Sequence, residues 1–243
     1  MVAAPSPATT VLLLRDEPVG FSVFMVQRSL QSSFMPGAHV FPGGRVDPED
    51  RDAANDWGGL DPALAHRRFE GELDHGAAVA QLVAGAREVH EEVGVRLPSL
   101  NALHVLAHWI TPEFEARRFD TWFVVCRLPA GAEPVHDDYE TIASRWVEPK
   151  SALARYGDGS LVMAPPTYYT IWDLARFDTA ADVLAEAERR SVPPVMPRFQ
   201  QIGERAALLL PGDPLYPSDH PVEGPTRVEM GESGRWWVVD GRG

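Results

Sequence analysis

Cysteine is nearly missing from this chain: Cys126 stands alone among 243 residues. A single thiol excludes an internal disulfide and any metal cage built from several cysteines, and within TWFVVCRL its expected role is small-residue packing. Lysine is as scarce, with Lys150 the one lysine among 22 basic residues. Genomic base composition accounts for that more simply than arginine-specific chemistry. Positive charge as a whole is in deficit, 22 Lys and Arg against 35 Asp and Glu, a formal net charge of −13. That balance repels a phosphate backbone and argues against nonspecific nucleic-acid binding. An anionic small molecule is still admissible if metal ions bridge it to the acidic side chains. Long hydrophobic runs are lacking too: the first one, in TTVLLLRD, closes at Arg15-Asp16 with no basic leader before it, and no later run approaches membrane length. A cytoplasmic protein that spans no membrane is expected.

What is present is 44% hydrophobic, enough for one elaborated domain with a sizeable core. TTVLLLRD (9–16) and FSVFMVQRS (21–29), separated by EPVG, predict a strand pair. AHVFPGG predicts a short strand that stops at its glycines. Residues from about 45 to 76 are polar and punctuated by Asp and Gly, with short helices expected around DPALAHRRFEGEL, and they read as an insertion within a domain of residues 1–191. Trp57, Leu60, Leu64, Phe69 and Leu73 make this insertion too apolar for a solvated linker, so it is expected to fold beside the site. AAVAQLVAGAREVHEEVGV predicts a long helix, with Leu82, Ala86, Val89 and Val93 in one apolar stripe and Gly94 as its stop. Strands return at HVLAHWIT, FDTWFVVCRL and IASRWVEP, then helices at PPTYYTIWDLARF and TAADVLAEAERR. Prolines recur from Pro193 onward, which makes residues 192–243 an extended segment packed on the domain, closed by a hairpin of RVEM and RWWVVD around GESG.

The long helix carries a contradiction. At about 100° per residue, Glu88, Glu91 and Glu92 share one face, away from the apolar stripe. Like charges at these spacings repel by about 0.2–0.5 kcal/mol per pair, and these stand in the last turns before Gly94, where the negative end of the helix dipole disfavours them again. A solvated acidic face is the ordinary explanation of a charge run, but the polarity is wrong for it here. A hard divalent cation, Mg2+ or Mn2+, would remove both penalties, because it takes carboxylate oxygens and keeps waters in its other positions. Arg87 is placed to pair with one carboxylate without competing for the metal.

REVHEEVGV (87–95) resembles the second half of the Nudix box, Arg-Glu-apolar-x-Glu-Glu-x-Gly-apolar, at all seven defining positions. Gly43-Gly44 resembles the start of that box. The usual box has thirteen residues between glycine and arginine, whereas here residues 45 to 86 intervene. Val79 therefore stands where the early box glutamate belongs, and Glu49 or Asp50 is a candidate equivalent. GFSVFMVQRSLQSSFMPGAHVFPGGRVD, WITPEFEARRFDTWFVV and LLLPGDPLYP resemble the acyl-CoA diphosphatase-like branch of the family, in which an insertion within the box is regular.

The resemblance implies an α/β protein, a Nudix-type α-β-α sandwich around a mixed β-sheet, that hydrolyses a small-molecule diphosphate, foremost CoA or acyl-CoA. Another nucleoside diphosphate derivative (NADH, ADP-ribose, a sugar nucleotide) and a non-catalytic Nudix ligand-binding module are the alternatives. Carried over by position, Glu91 and Glu92 are metal ligands, Glu88 is a ligand or the base acting on water, Arg87 is its orienting partner, and the carbonyl of Gly43 is a further ligand. Glu140, shortly before Trp146, is the expected additional acidic ligand, preferred to Asp137 and Asp138. Arg28, Arg45, Arg117 and Arg118 are candidates for the positive contacts a polyphosphate needs, with surface ion pairing as the alternative. His39 is a candidate phosphate contact or a structural hydrogen-bonding residue. Phe34 and Met35 are candidates for apolar contact with a pantetheine or acyl arm, core packing being the alternative. His104 and His108, four apart in a strand-like run, are expected to be strand neighbours, not ligands. A homodimer is left open.

Overall fold

The computed structural model describes residues 3–32, 35–53, 60–136, 141–216 and 225–239. Its main sheet is built from β1 (Ser6–Asp16), β2 (Phe21–Arg28), β3 (His39–Val40), β4 (Gly43–Arg45), β5 (His104–Ile110), β6 (Phe119–Arg127), β7 (Thr141–Val147) and β8 (Pro194–Val195). The central order is β3-β2-β1-β6-β5-β8, with β4 on β1 and β7 on β2. β1 and β2 form the expected antiparallel pair. β1 runs parallel to β6 from Ser6↔Phe119 to Leu14↔Arg127, and β8 runs parallel to β5, so the sheet is mixed.

The two parallel ladders explain why the central strands are apolar on both faces, since helices must cover each side. Successive residues of β1 serve opposite cores: Val11 and Leu13 point into one, Leu12 and Leu14 into the other. The first core is closed by α2 (Pro62–Arg68) and α3 (His75–Val93), with a short α1 (Pro48–Asp52) also against α3. The second is closed by α4 (Pro149–Asp158), α5 (Pro165–Leu174) and α6 (Ala180–Ala187). This is the α-β-α sandwich expected from the sequence. The stripe Leu82, Ala86, Val89 and Val93 is buried, and Gly94 ends α3 in the left-handed conformation at φ 71° that glycine tolerates.

The inserted segment is anchored by its own apolar residues: Phe69 is fully buried, with its ring edge to face on Trp122 at 4.8 Å, and Leu60 and Leu73 pack on the same core. Trp57 lies outside the described residues. α4 has no counterpart among the expected helices, although its signals stand in the sequence: the Glu148 carboxylate caps the Lys150 and Ser151 amides, Pro149 occupies the first turn and Gly159 ends the helix in the left-handed region.

The C-terminal segment does more than close with a hairpin. The expected pair, β11 (Arg227–Met230) with β12 (Trp236–Val239), forms half of a four-stranded antiparallel sheet whose other half is β9 (Arg198–Ile202) and β10 (Arg205–Leu209). Leu208, Leu210 and Val228 enter the α4–α5 core, and the Trp236 amide donates to the Tyr156 hydroxyl at 2.8 Å. Among the described residues, no helix is long and apolar enough to cross a membrane.

Candidate active site

The two glycines of β4 are positions of close approach. β4 pairs with β1 through Thr10↔Gly43 and Thr9↔Gly44. A Cβ on Gly43, whose φ is 155°, would overlap the Thr9 carbonyl and stand 2.7 Å from the Thr10 Cα; a Cβ on Gly44 would overlap the Glu88 carboxylate. One glycine lets β1 in, and the other lets α3 in. The expectation that the strand stops at its glycines is corrected accordingly: Gly43–Arg45 is itself a strand, because the missing side chains allow it to lie between β1 and the helix.

Strand alternation then decides which backbone groups face α3. The Val11 amide donates to the Pro42 carbonyl at 2.8 Å and the Val46 amide to the Pro7 carbonyl at 3.0 Å, so the residues between these contacts turn alternate groups away from β1. On that edge the Gly43 amide donates to Glu92 Oε2 at 3.0 Å, and the Arg45 carbonyl accepts from Arg87 Nη2 at 2.9 Å.

Arg87 is the hub of the cluster. Its guanidinium forks onto Asp50, Nε to Oδ1 at 3.0 Å and Nη2 to Oδ2 at 3.1 Å, while Nη1 donates to Glu88 Oε1 at 2.8 Å and to Glu91 Oε2 at 3.0 Å. The Asp50 contact is the main cause that holds the guanidinium more firmly protonated than an ordinary arginine. Asp50 is almost fully buried, and its Oδ2 also accepts the Asp47 amide, which caps α1. Burial pushes the Glu88 carboxyl above the usual range, against the opposing pull of Arg87. Arg87 and Gly43 thus relieve part of the repulsion that the sequence assigned to a cation alone. Of the two candidates for the early box acid, Asp50 is spent on Arg87.

Among the described residues, no three acidic, His or Cys side chains already converge as a metal cage. The donor chemistry nevertheless fits a hard divalent ion: three carboxylates on one helix edge, one oxygen each of Glu88 and Glu91 steadied by Arg87, and a glycine backbone with no side chain between it and Glu88.

Residues 1–73 and 88–176 match the family model of the NUDT19 Nudix domain. The chain belongs to this Nudix family. It is 28% identical over 292 residues to acyl-coenzyme A diphosphatase NUDT19 of Homo sapiens, and 25% identical over 296 residues to the protein of that name from Gallus gallus, covering in each case 88% of this chain and 77% of the relative. A solved NUDIX hydrolase from Alicyclobacillus acidocaldarius superposes with a TM-score of 0.64 at 22% identity, over 80% of this chain and 100% of its own, and so shares the fold.

The remaining candidates of this Nudix chain are dispersed. Glu140, Asp137 and Asp138 lie outside the described residues, as does Phe34. Arg28, at the end of β2, donates from Nη2 to Ser32 Oγ at 2.7 Å. Arg45 reaches the cluster through its carbonyl, while its guanidinium lies 5.7 Å over the Phe119 ring. Arg118 is buried and donates to the carbonyls of Thr111 and Ala3. His108 is stacked on Trp122 and bonded through Nε2 to Asp120, so it is a strand residue and not a ligand. His39 is set apart from the glutamates. It alternates with Val40 and shares the α4–α5 face with Phe41, opposite α3. Its buried ring makes no hydrogen bond among the described residues, and burial, reinforced by the Arg145 charge, pushes its pKa down to about 4.

Sequence reasoning missed the role of Asp50 as the anchor of Arg87. The available signal was the capping pair Asp47 and Asp50 in DPED, which starts a helix directly after the glycine strand.

Proposed function

We propose that this protein is a Mg2+- or Mn2+-dependent diphosphatase that hydrolyses the diphosphate linkage of CoA or acyl-CoA. The observation that carries the reading is the docking of the α3 carboxylates on a glycine strand, Glu88 and Glu91 through Arg87 and Glu92 through the Gly43 amide, in a chain whose relatives bear the name acyl-coenzyme A diphosphatase. Glu91 and Glu92 would hold the ion, together with the Gly43 carbonyl on the strand edge that faces α3, and Glu140 would be the additional acidic ligand. When bound there, such an ion would screen the phosphate charge that repels a nucleophile and would acidify water for in-line attack.

This chain's own groups do the rest. Glu88 accepts the proton of the attacking water at its carboxylate, which Arg87 orients through Oε1. Arg87 fixes the carboxylates of Glu88 and Glu91, and Asp50 fixes Arg87, so the acids are oriented before substrate arrives. Arg45 and Arg28 meet the diphosphate charge. The protein acts in the cytoplasm on a small molecule.

Incubating the purified protein with Mg2+ and CoA tests this. An adenosine bisphosphate and a phosphopantetheine are the expected products. Efficient hydrolysis of NADH or ADP-ribose with CoA untouched would transfer the activity to another diphosphate class, and hydrolysis of none of these would overturn the enzyme.

A further inference from the structure

The site end of the main sheet carries a second feature. β5 ends there at Ile110, and the Thr111 amide, donating to the Phe119 carbonyl at 2.9 Å, opens a loop of residues 111–118. β8 runs parallel to β5, Trp109 opposite Val195, so the chain leaving β8 passes this loop on its way into β9. Between the loop and β9 lies a cleft of about 610 Å3 lined by Glu113, Phe114, Met196, Pro197, Arg198 and Phe199, a size suited to a ligand. Phe114 is 59% exposed and Phe199 53%, although their rings meet edge to face at 6.1 Å. Leaving two aromatic rings half in water forgoes apolar burial that a ligand would restore. Arg118 fixes both walls, donating from Nε to the Thr111 carbonyl at 3.0 Å and from Nη2 to the Met196 sulfur at 3.5 Å. Three strand spacings, roughly 14 Å, separate β8 from β1, which carries the glycine strand.

We propose that this cleft receives the acyl chain of an acyl-CoA substrate, and that Phe114 and Phe199 select acyl esters over free CoA. The inference rests on the function proposed above. The lining decides the class of ligand. Rings inclined at 73° leave no parallel slot to sandwich a nucleobase. Glu113 repels a phosphate, and the Arg198 guanidinium already lies over the Tyr216 ring at 5.0 Å. Two phenylalanines, a proline and a pliable methionine suit an alkyl chain.

The test uses S-dodecanoyl-pantetheine, which has the acyl arm without a diphosphate, titrated against native protein, Phe114→Ala and Phe199→Ala. Both substitutions are at exposed positions on different segments, and unchanged circular dichroism checks their folds. Each variant is expected to bind the probe about tenfold more weakly, and the ratio of kcat/KM for dodecanoyl-CoA over CoA is expected to fall by a similar factor. Native affinity together with an unchanged ratio in both variants would overturn the assignment. If the native protein hydrolyses neither compound, the proposed function fails, and the titration still decides the cleft.

Discussion

Replacing Asp50 with asparagine removes the charge from a nearly fully buried partner of Arg87. Breaking a buried pair costs about 3–5 kcal/mol. Here the loss is reduced, because Arg87 keeps 24% of its side chain exposed and retains Glu88 and Glu91. A destabilisation of ~2–3 kcal/mol, seen as a fall in Tm of about 5–10 °C, is the expected result, with a loss of turnover as Arg87 loses its anchor. His39 supplies a pH dependence. Its imidazole stays neutral in the folded protein down to about pH 4, whereas the unfolded chain protonates it near 6.5. The unfolded state therefore binds more protons in that window, so the contribution is present above pH 6.5 and is lost as pH falls toward 4. The Tm of His39→Phe is expected to fall less than the native Tm between pH 6.5 and 4; parallel curves would contradict the assignment. Single residues were unevenly legible. Glu88, Glu91 and Glu92 announce themselves by breaking two helix rules, whereas Asp50 looks like one acid among many in DPEDRD. The folding of α1 back onto α3 gives it a partner 37 positions away.

Among the elements, the glycine strand and α3 fix each other's position. Gly44→Ala would drive a methyl group into the Glu88 carboxylate, the end of a side chain that is able to move. Turnover is expected to fall by at least about tenfold, with a Tm loss smaller than that of Gly43→Ala, whose methyl meets the β1 backbone. Equal activity of Gly44→Ala and native protein would show that the close approach has no catalytic role. Periodicity and caps made most of the elements readable: the first hairpin, α3 to its glycine stop, β5, β6 and β7. α4 is hard to read because its run, PKSALARYGD, is short and polar, although Glu148-Pro149 and Gly159 mark both ends. β9 and β10 were hidden by the prolines around them. Their pairing depends on a long-range fold that places the tail on the α4–α5 core, which no local pattern specifies.

At the scale of the whole molecule, the main sheet carries a separate core on each face, and Cys126 reports on the α3 side. It is fully buried on β6, and burial pushes its thiol pKa up to about 12. A thiol reagent at neutral pH is expected to label it only as fast as the protein opens, with full labelling in denaturant. Rapid labelling under native conditions would show that this core is not closed. The family was legible from REVHEEVGV and its acyl-CoA diphosphatase-like branch from the runs that flank it, whereas a surface such as the cleft at Phe114 and Phe199, whose lining comes from residues 113–114 and 196–199, is assembled only by the folded chain. Metal-dependent cleavage of a CoA diphosphate at the α3 carboxylates is tested most directly by the rate of CoA hydrolysis against Mg2+ concentration for native protein and Glu92→Gln. The glutamine keeps an oxygen to accept the Gly43 amide, so the fold should persist while the charge is lost. Saturable Mg2+ dependence in the native enzyme and a fall in kcat of about 100-fold or more in the folded variant are predicted; full Mg2+-dependent turnover by Glu92→Gln would contradict the account.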